Sequence, residues 1–430
     1  MRKWYSLIDK VYTLPKLEQA YHQVRRNKGS RTTGVDKQSM ADFSLAMKEN
    51  LCQLSKELKE GSYKPQPVRR VYIDKPDGSK RKLGIPTIRD RIVQQSLLNV
   101  LQPIFDPVFH PSSYGYRPKR SAHHAVAKAE RFSRHYGLCH VADMDLSKCF
   151  DTLDHQLILQ SVGQKVSDGK ILRLIGTFLK AGVLEGERFT PTKEGSPQGG
   201  IISPLLMNIY LDEFDQYMKN SEIRMVRYAD DILLFASTKA QAGEYMAKAT
   251  KYLEQKLKLE VNKTKSCLSN LTAGIHYLGM VIKTYGVVVS FKSIKKFKEK
   301  VRLITPRNNG KSIETFIRQL NPVLRGFTNY FRIGSTHRLF RDLMSWIRRR
   351  LRMMIMKSWK SWKPLHRQLR RMGYKGKFEK VSVTRWRNSS TTPIHMALPN
   401  QYFLDIGLYP MEEVSGKTLH QYYSFVLNKV

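Results

Sequence analysis

The chain has 430 residues, 41% of them hydrophobic, and its 75 lysines and arginines outnumber its 36 acidic residues to give a net charge of +39. This imbalance favours a polyanionic partner, and nucleic acid is a better candidate than an anionic membrane surface. No apolar run approaches the roughly 18 residues that a spanning helix needs. The four cysteines form no Cys-x-x-Cys pair, which argues against a structural zinc and a disulfide framework.

The first 60 residues are predicted to be helical, because apolar residues recur at helical spacing at 17–24 and 47–58. A basic loop at 27–34, which contains Arg31, separates the two stretches. A β-hairpin is predicted next, with arms at 68–73 and 81–85 and a strong Asp-Gly turn signal between them.

Residues 87–105 are predicted to form a helix, and a loop at 112–118 leads into another. An acidic strand follows, in which Asp143 and Asp145 are two residues apart and therefore share one face. A helix is expected to begin near Asp151, with that residue as its cap.

A second acidic feature is the sequence Tyr-Ala-Asp-Asp at 228–231, which lies between apolar runs and predicts a tight turn between strands. A solvated turn is the alternative, since Asp favours turns for backbone reasons. Like charges are costly to bury unless a cation neutralises them. If folding brings the two acidic features together, they form an all-oxygen site suited to Mg²⁺, and two such ions clamp an in-line phosphoryl displacement.

A Gly-rich loop at 195–200 opens an apolar helix at 205–214, and a helix at 240–258 and short strands near 277–279 and 287–289 follow. Strands that alternate irregularly with helices predict an α+β or α/β fold with one central sheet.

The segment 291–387, called the basic tail below, holds 28 Lys and Arg against 4 Asp and Glu. Predicted helices at 293–303, 313–330 and 339–362 interleave tryptophans with arginines. Cations beside aromatic rings suit a surface that tracks a nucleic-acid backbone and stacks on its bases. Amphipathic helices with solvated faces and buried tryptophans are the alternative.

Taken in order, seven segments resemble the reverse transcriptases encoded by bacterial group II introns, in particular the compact forms without an endonuclease domain. These segments are 75–86, 113–118, 145–151, 196–205, 228–231, 262–266 and 277–279. The basic tail, with 326–331 and 346–350, resembles the thumb and maturase region of that family. No Cys/His cluster follows it, so a zinc-supported endonuclease is not expected.

The resemblance implies an α+β right-hand polymerase whose fingers and palm hold a central antiparallel sheet. The expected domains are an N-terminal extension and start of the fingers at 1–65, fingers and palm at 66–290, a helical thumb (maturase X) at 291–345, and a basic helical maturase region that binds DNA and RNA at 346–430. Cytoplasmic location in a bacterium, with the nucleoid or a ribonucleoprotein, is expected.

The resemblance also assigns the site. Asp145, Asp230 and Asp231 would be catalytic, with two Mg²⁺ ions, or Mn²⁺ as a substitute, held by Asp145, Asp230 and the backbone carbonyl of Leu146. Asp143 is expected to be structural or supporting.

The dNTP would be bound by six residues: Lys75, Arg81, Phe150, Gln198, Gly199 and Lys265. Lys75 and Arg81 would grip the triphosphate, Phe150 would exclude a 2′-hydroxyl, and Lys265 would lie near the pyrophosphate. Without the resemblance, Phe150 also fits a core position and Lys265 an exposed helix end. Nucleic-acid contacts are predicted at Arg31, Arg117, Arg348, Arg349, Arg350 and Arg352.

The function implied is RNA-dependent DNA polymerisation, together with binding of the parent intron to assist its splicing and retrohoming. The expected partners are template and intron RNA, primer and target DNA, and dNTPs, with no membrane. Two alternatives stay open. One is an RNA-binding splicing factor with an inactive polymerase site, and the other is a free-standing relative in DNA repair or phage defence.

Overall fold

The computed structural model describes residues 3–74, 78, 80–307, 310–416 and 419–427. By their internal contacts these residues form two compact units, the first up to Asn270 and the second over Leu271–Leu427. Within the described residues, no helix is both long and apolar enough to cross a bilayer.

The first unit mixes helices and strands. Its helices are α1 (Asp9–Tyr12), α2 (Leu14–Arg26), α3 (Met40–Leu45), α4 (Met47–Glu60), α5 (Ile88–Phe105), α6 (Ala122–Glu130), α7 (His155–Gly163), α8 (Gly169–Leu179), α9 (Ser203–Asn220) and α10 (Lys239–Gln255). Its strands are β1 (Val68–Asp74), β2 (Lys80–Ile85), β3 (His140–Asp145), β4 (Val183–Glu185), β5 (Arg188–Thr190), β6 (Arg224–Tyr228), β7 (Asp231–Ala236) and β8 (Cys267–Asn270).

The central sheet has the order β6-β7-β3-β8, and every pair in it is antiparallel, as predicted. Residues 232–236 of β7 are all buried. The sheet is packed by α10 against β3 and β7 and by α6 against β6. Asp145 and Asp231 lie at one end of this covered sheet.

A second sheet has the order β2-β1-β4-β5. The predicted hairpin forms its β1–β2 pair, although residues 75–77 of the turn lie outside the described part of the chain. The chain therefore holds further sheets beside the predicted central one. The β4–β5 hairpin escaped prediction because each of its strands has three residues and β5 is fully exposed, which leaves no alternation to detect.

The N-terminal helices confirm the predicted periodicity, since α2 and α4 bury the apolar positions that suggested them. The long helix α5 begins at the Thr87 cap and runs through the core, where Ile92, Val93, Leu97 and Leu101 have no exposed surface. This packing fixes the base of the β1–β2 hairpin at Ile85, three residues before α5 begins.

The second unit starts with a small antiparallel sheet and continues as helices. Its strands are β9 (Ile275–Tyr277), β10 (Met280–Lys283) and β11 (Gly286–Val289), and its helices are α11 (Phe291–Ile304), α12 (Ile313–Phe331), α13 (His337–Trp359), α14 (Lys363–Arg371), α15 (Thr392–Ala397), α16 (Asn400–Asp405) and α17 (His420–Leu427). The long helices pack through aromatic residues, for example Phe297 against Phe327 with ring centroids 4.2 Å apart. The helical character predicted for the basic tail is confirmed for residues 291–304, 313–331 and 337–359.

Candidate active site

The acidic residues meet at one end of the central sheet. In the β3–β7 pair Asp145 lies opposite Asp231, and in the β6–β7 pair Tyr228 lies opposite Asp231. Ala229 and Asp230 therefore form the tight turn that the sequence predicted, with Ala229 at φ +59°. The structure thus brings together Asp145, Asp230 and Asp231, called the acidic cluster below.

Burial and repulsion between neighbouring carboxylates raise the pKa values of Asp143, Asp230 and Asp231. Burial, followed by the charges of Asp230 and Asp145, raises the pKa of Asp231 to about 6. Burial, followed by the charges of Asp231 and Asp145, raises the pKa of Asp143 to about 7. Burial is also the main reason that the pKa of Asp230 is raised. A bound cation would remove this repulsion.

Asp145 is held by residues of the 262–266 motif. Its Oδ2 accepts hydrogen bonds from Asn262 Nδ2 at 3.1 Å and from Lys265 Nζ at 3.0 Å. The bond to Asp145 is the main reason that the pKa of Lys265 is raised. Lys265 therefore lies beside the acidic cluster as an exposed counter-charge, and its place near the phosphates stays a prediction.

The donor set fits Mg²⁺, because the acidic cluster offers carboxylate oxygens without sulfur or imidazole. Within the described residues no three His, Cys, Asp or Glu side chains are grouped closely enough to hold an ion by themselves. Mg²⁺ sites in proteins commonly use one or two carboxylates and take their other ligands from water and substrate phosphates.

Leu146 directly follows β3 and forms an isolated bridge with Val261. The Asp145 carbonyl accepts from Asn262 N at 2.8 Å, and Ser147 N donates to the Glu260 carbonyl at 2.8 Å. Because both neighbours bond to the 260–262 segment, the alternating pattern of an antiparallel pair directs the Leu146 carbonyl away from that segment. This geometry is compatible with the predicted backbone ligand.

A cavity of about 710 Å³ opens in front of the acidic cluster. It is lined by the predicted residues Arg81, Asp145, Leu146, Phe150, Gln198, Asp230 and Lys265. Lys75 lies outside the described residues. The cavity also contains four cations that the motifs did not single out, Arg70, Lys80, Lys82 and Lys148. The runs of consecutive cations at 69–70 and 80–82, on the two arms of the predicted hairpin, are the sequence signal for the first three.

Gly199 is placed differently from the prediction that it touches the nucleotide. It does not line this cavity; its φ is +119°, and a Cβ there would lie 2.5 Å from the Gly84 carbonyl oxygen. Gly84 N donates to the Gln198 carbonyl at 2.7 Å, and Arg81 Nε donates to Gln198 Oε1 at 3.1 Å. Gly199 therefore allows the loop to pack on β2, which positions Gln198.

Phe150 forms one wall of the cavity and is 9% exposed. The ring of Tyr116 meets it edge to face, with centroids 6.4 Å apart. We call Tyr116 and Phe150 the aromatic wall. Sequence reasoning did not single out Tyr116, whose backbone has φ +55°, an unusual conformation for a bulky residue.

The expected helix cap at Asp151 was wrong. Asp151 lies in a short 3-10 turn and lines the cavity. Asp154 caps α7 instead, because its Oδ1 accepts from Gln156 N at 2.8 Å and Leu157 N at 3.1 Å.

Three of the predicted nucleic-acid contacts are corrected, because Arg117, Arg348 and Arg352 are buried in the folded chain. Arg117 Nε donates to Asp106 Oδ1 at 2.7 Å, and its Nη1 donates to two backbone carbonyls. Arg348 pairs with Glu412. These guanidiniums are used for internal bonds, so they are not free for phosphates.

Arg352, the third buried arginine, donates from Nε to the Leu398 carbonyl at 2.9 Å. The remaining arginines are more accessible. Arg350 is half-buried and bonds to Thr305. Arg349 lies over the ring of Trp386 at 4.9 Å. Arg31 is exposed at the end of a 3-10 turn.

Comparisons with known proteins agree with this geometry. Residues 73–282 match the family described as reverse transcriptase (RNA-dependent DNA polymerase), and residues 294–373 match the group II intron, maturase-specific domain. Reverse transcriptases are divalent-metal-dependent polymerases that act on nucleic acids.

Three relatives show the extent of the similarity. The chain is 36% identical to Protein YkfC of Escherichia coli (strain K12), over 63% of this chain and 81% of that protein. It is 40% identical to the group II intron-encoded protein LtrA of Lactococcus lactis subsp. cremoris, over 48% of this chain and 34% of LtrA. It is 24% identical to nuclear intron maturase 4, mitochondrial, of Arabidopsis thaliana, over 70% of this chain and 42% of that protein. The chain therefore belongs to the bacterial group II intron-encoded reverse transcriptases, RNA-directed DNA polymerases that carry a maturase domain.

Proposed function

We propose that the acidic cluster is the centre at which this chain extends a DNA primer on an RNA template. The observation that carries the proposal is the convergence of Asp145 with the Asp230–Asp231 turn at the mouth of a cavity lined by fingers cations. Residues from three separate motifs meet there, and each supplies a group that nucleotidyl transfer needs.

Asp145, Asp230 and the Leu146 carbonyl would hold two Mg²⁺ ions, and Mn²⁺ would substitute for them. When bound, these ions would align the primer 3′-hydroxyl with the α-phosphate and stabilise the charge that develops there. Asp231, which lies opposite Asp145 in the β3–β7 pair, would support the site. The reaction needs positioning and charge stabilisation, so carboxylates and metal suffice without a protein nucleophile.

The cavity cations would bind the triphosphate of the incoming dNTP. Arg81 offers a planar guanidinium that binds two phosphate oxygens at once, and Lys75 is its predicted partner. Lys265, already bonded to Asp145, would meet the pyrophosphate. Gln198 would contact the nucleotide, and Phe150 would exclude ribonucleotides by occupying the space of a 2′-hydroxyl.

The second unit would bind template and intron RNA and the primer or target DNA, and so assist splicing and retrohoming. Its support is a group of three cations around Trp346. Lys298, Arg302 and Arg350 lie within 5.4–5.8 Å of that ring. Aromatic rings beside cations suit base stacking and backbone contact.

The test is extension of a DNA primer on an RNA template by the purified full chain. We expect extension with Mg²⁺ or Mn²⁺ and none in EDTA. RNA binding without extension under any metal condition would overturn the polymerase proposal and favour an RNA-binding splicing factor.

A further inference from the structure

A buried hydrogen-bond network lies directly behind the catalytic turn. Arg227, the residue before Tyr228 on β6, has no exposed surface. Its Nε and Nη2 donate to Asp215, with the shortest bond 2.6 Å, and its Nη1 donates to Asn208 Oδ1 at 3.0 Å. Asp215 and Asn208 are seven residues apart on α9, which places them on one face of that helix.

The same guanidinium also holds the turn itself. Arg227 Nη1 donates to the carbonyl of Ala229 at 3.0 Å. Ala229 has φ +59°, a left-handed conformation that costs a residue with a Cβ roughly 1–2 kcal/mol. A donor aimed at this carbonyl stabilises the conformation that presents Asp230 and Asp231 toward Asp145.

The network reaches the aromatic wall by a second path. Asn208 Nδ2 donates to the Gly115 carbonyl at 2.9 Å. Gly115 is pressed against the turn, since a Cβ there would lie 2.3 Å from Ala229 N. Tyr116, whose ring meets Phe150, is the next residue.

We propose that Arg227, with Asp215 and Asn208, is a positioning residue that couples the metal-binding turn to the aromatic wall. The inference rests on the proposed polymerase function and deepens it. An ordinary buried ion pair would do no more than stabilise the fold. Here Arg227 also donates a hydrogen bond to the turn. It is linked in addition, through Asn208, to the segment that carries Tyr116. Disturbing it should therefore change metal affinity and sugar discrimination together.

The decisive variant is Arg227→Met/Asp215→Leu, which removes both buried charges and leaves neither unpaired. Replacing a buried ion pair by apolar residues is often neutral for stability, so we expect a melting temperature within a few degrees of the parent. We expect kcat for primer extension to fall at least tenfold and the Mg²⁺ concentration for half-maximal rate to rise severalfold. We also expect the ratio of dNTP to rNTP incorporation to fall.

Asn208→Leu separates the two paths, because it cuts the link to Gly115 and leaves the Arg227–Asp215 pair. It should lower sugar discrimination more than it changes the Mg²⁺ requirement. Arg227→Lys keeps the positive charge but places all its donors on one nitrogen, so it cannot reproduce the bonds that Nε, Nη1 and Nη2 make to Asp215, Asn208 and Ala229. It should raise the Mg²⁺ requirement without unfolding the chain.

A folded Arg227→Met/Asp215→Leu protein with parental kcat, Mg²⁺ requirement and discrimination would overturn the proposal. If that protein does not fold, Arg227→Lys and Asn208→Leu test the proposal in its place. A parental Mg²⁺ requirement and parental discrimination in both variants would equally overturn it. The matched control is Arg89→Met/Glu57→Leu, which removes an ion pair between α4 and α5 in the same unit. It should leave the Mg²⁺ requirement and discrimination unchanged.

Failure of the polymerase function gives a different result. If the parent does not extend primers, or if Asp230→Ala extends them as well as the parent, the proposed function itself fails. If Asp230→Ala is inactive and the Arg227 variants are parental, only the positioning role fails.

Discussion

Asp145 and Asp231 face each other at the last register position of the β3–β7 pair. Residues directly opposite in an antiparallel pair have Cα atoms about 4.5–5.5 Å apart. Two carboxylates from distant parts of the chain are therefore held side by side by backbone hydrogen bonds. Since the folded sheet enforces this repulsion, a cation bound between the two carboxylates would relieve it.

Asp230→Ala should abolish primer extension and leave RNA affinity nearly unchanged. Loss of one electrostatic stabiliser lowers kcat by roughly 10²–10³-fold, and loss of a metal ligand should cost at least that much. Gel-based primer extension and RNA filter binding on the same preparation measure the two effects. Asp405→Ala, at an exposed position of the second unit, is the control, and persistent extension by Asp230→Ala would remove this residue from the metal site.

Phe150→Val should raise ribonucleotide incorporation by about tenfold or more, a scale typical of discrimination by apolar pockets. The smaller side chain leaves room for a 2′-hydroxyl beside Tyr116. The measurement is kcat/KM for a dNTP and its matching rNTP. Phe43→Val removes an equally large side chain from a buried position on α3, and discrimination should stay parental there. A ratio unchanged in Phe150→Val would reject the gate assignment.

The metal-free protein should lose stability as pH rises from about 4 to 7. The pKa of Asp143 is raised from 3.8 to about 7, and that of Asp231 to about 6, mainly by burial. Between pH 3.8 and the raised pKa values, the folded chain keeps protons that the unfolded chain has lost. Unfolding therefore releases protons, and the free energy of unfolding falls as pH rises. Mg²⁺ binds the deprotonated carboxyls, so its stabilising effect should grow over the same range.

Melting temperatures from pH 5 to 8, in EDTA and in Mg²⁺, measure this linkage. Asp143→Asn carries no titrating group at that position and should flatten the pH dependence in EDTA. A melting temperature in EDTA that rises steadily to pH 8 would contradict the assignment.

The sequence predicted the acidic cluster well because its members lie on local patterns. The two-residue spacing of Asp143 and Asp145 predicted that both lie on one face of a strand. The apolar runs on either side of 228–231 predicted that Asp230 lies at a turn. The strand register that joins them is a tertiary feature. The sequence suggested it only indirectly, because buried carboxylates are costly unless a cation neutralises them. The Arg227 network had no sequence signal, because an arginine on a strand normally indicates a solvent-facing position.

The arginine predictions failed for a related reason. Whether a guanidinium is free depends on its partner, and the partner can be remote. Glu412 is 64 residues from Arg348, and Asp106 is 11 residues from Arg117. A high local positive charge indicates a nucleic-acid surface as a whole but does not identify which members face solvent.

Arg117→Met should therefore act on stability. It leaves the partly exposed Asp106 and two backbone carbonyls without the Arg117 donor, and a buried acceptor left unsatisfied costs about 1–3 kcal/mol. Thermal melting should show the loss, while RNA affinity of the folded fraction stays close to the parent. Arg31→Ala is the converse case, with weaker RNA binding and an unchanged melting temperature. Weaker RNA binding by Arg117→Met without a loss of stability would restore the original prediction.

The salt dependence of RNA binding should locate the electrostatic surface of the second unit. Arg367, Arg370 and Arg371 are exposed on α14, and each phosphate contact by a basic side chain adds about −0.7 to the log–log slope for single strands. Arg367→Gln/Arg370→Gln/Arg371→Gln should therefore reduce the steepness by about 2 if all three touch phosphates. Lys48→Gln/Lys56→Gln/Lys59→Gln removes the same charge from exposed positions of α4 and should change the slope much less. An equal reduction of the slope in both triple variants would mean that RNA affinity depends on the net charge of the chain and that α14 carries no dedicated RNA-binding surface.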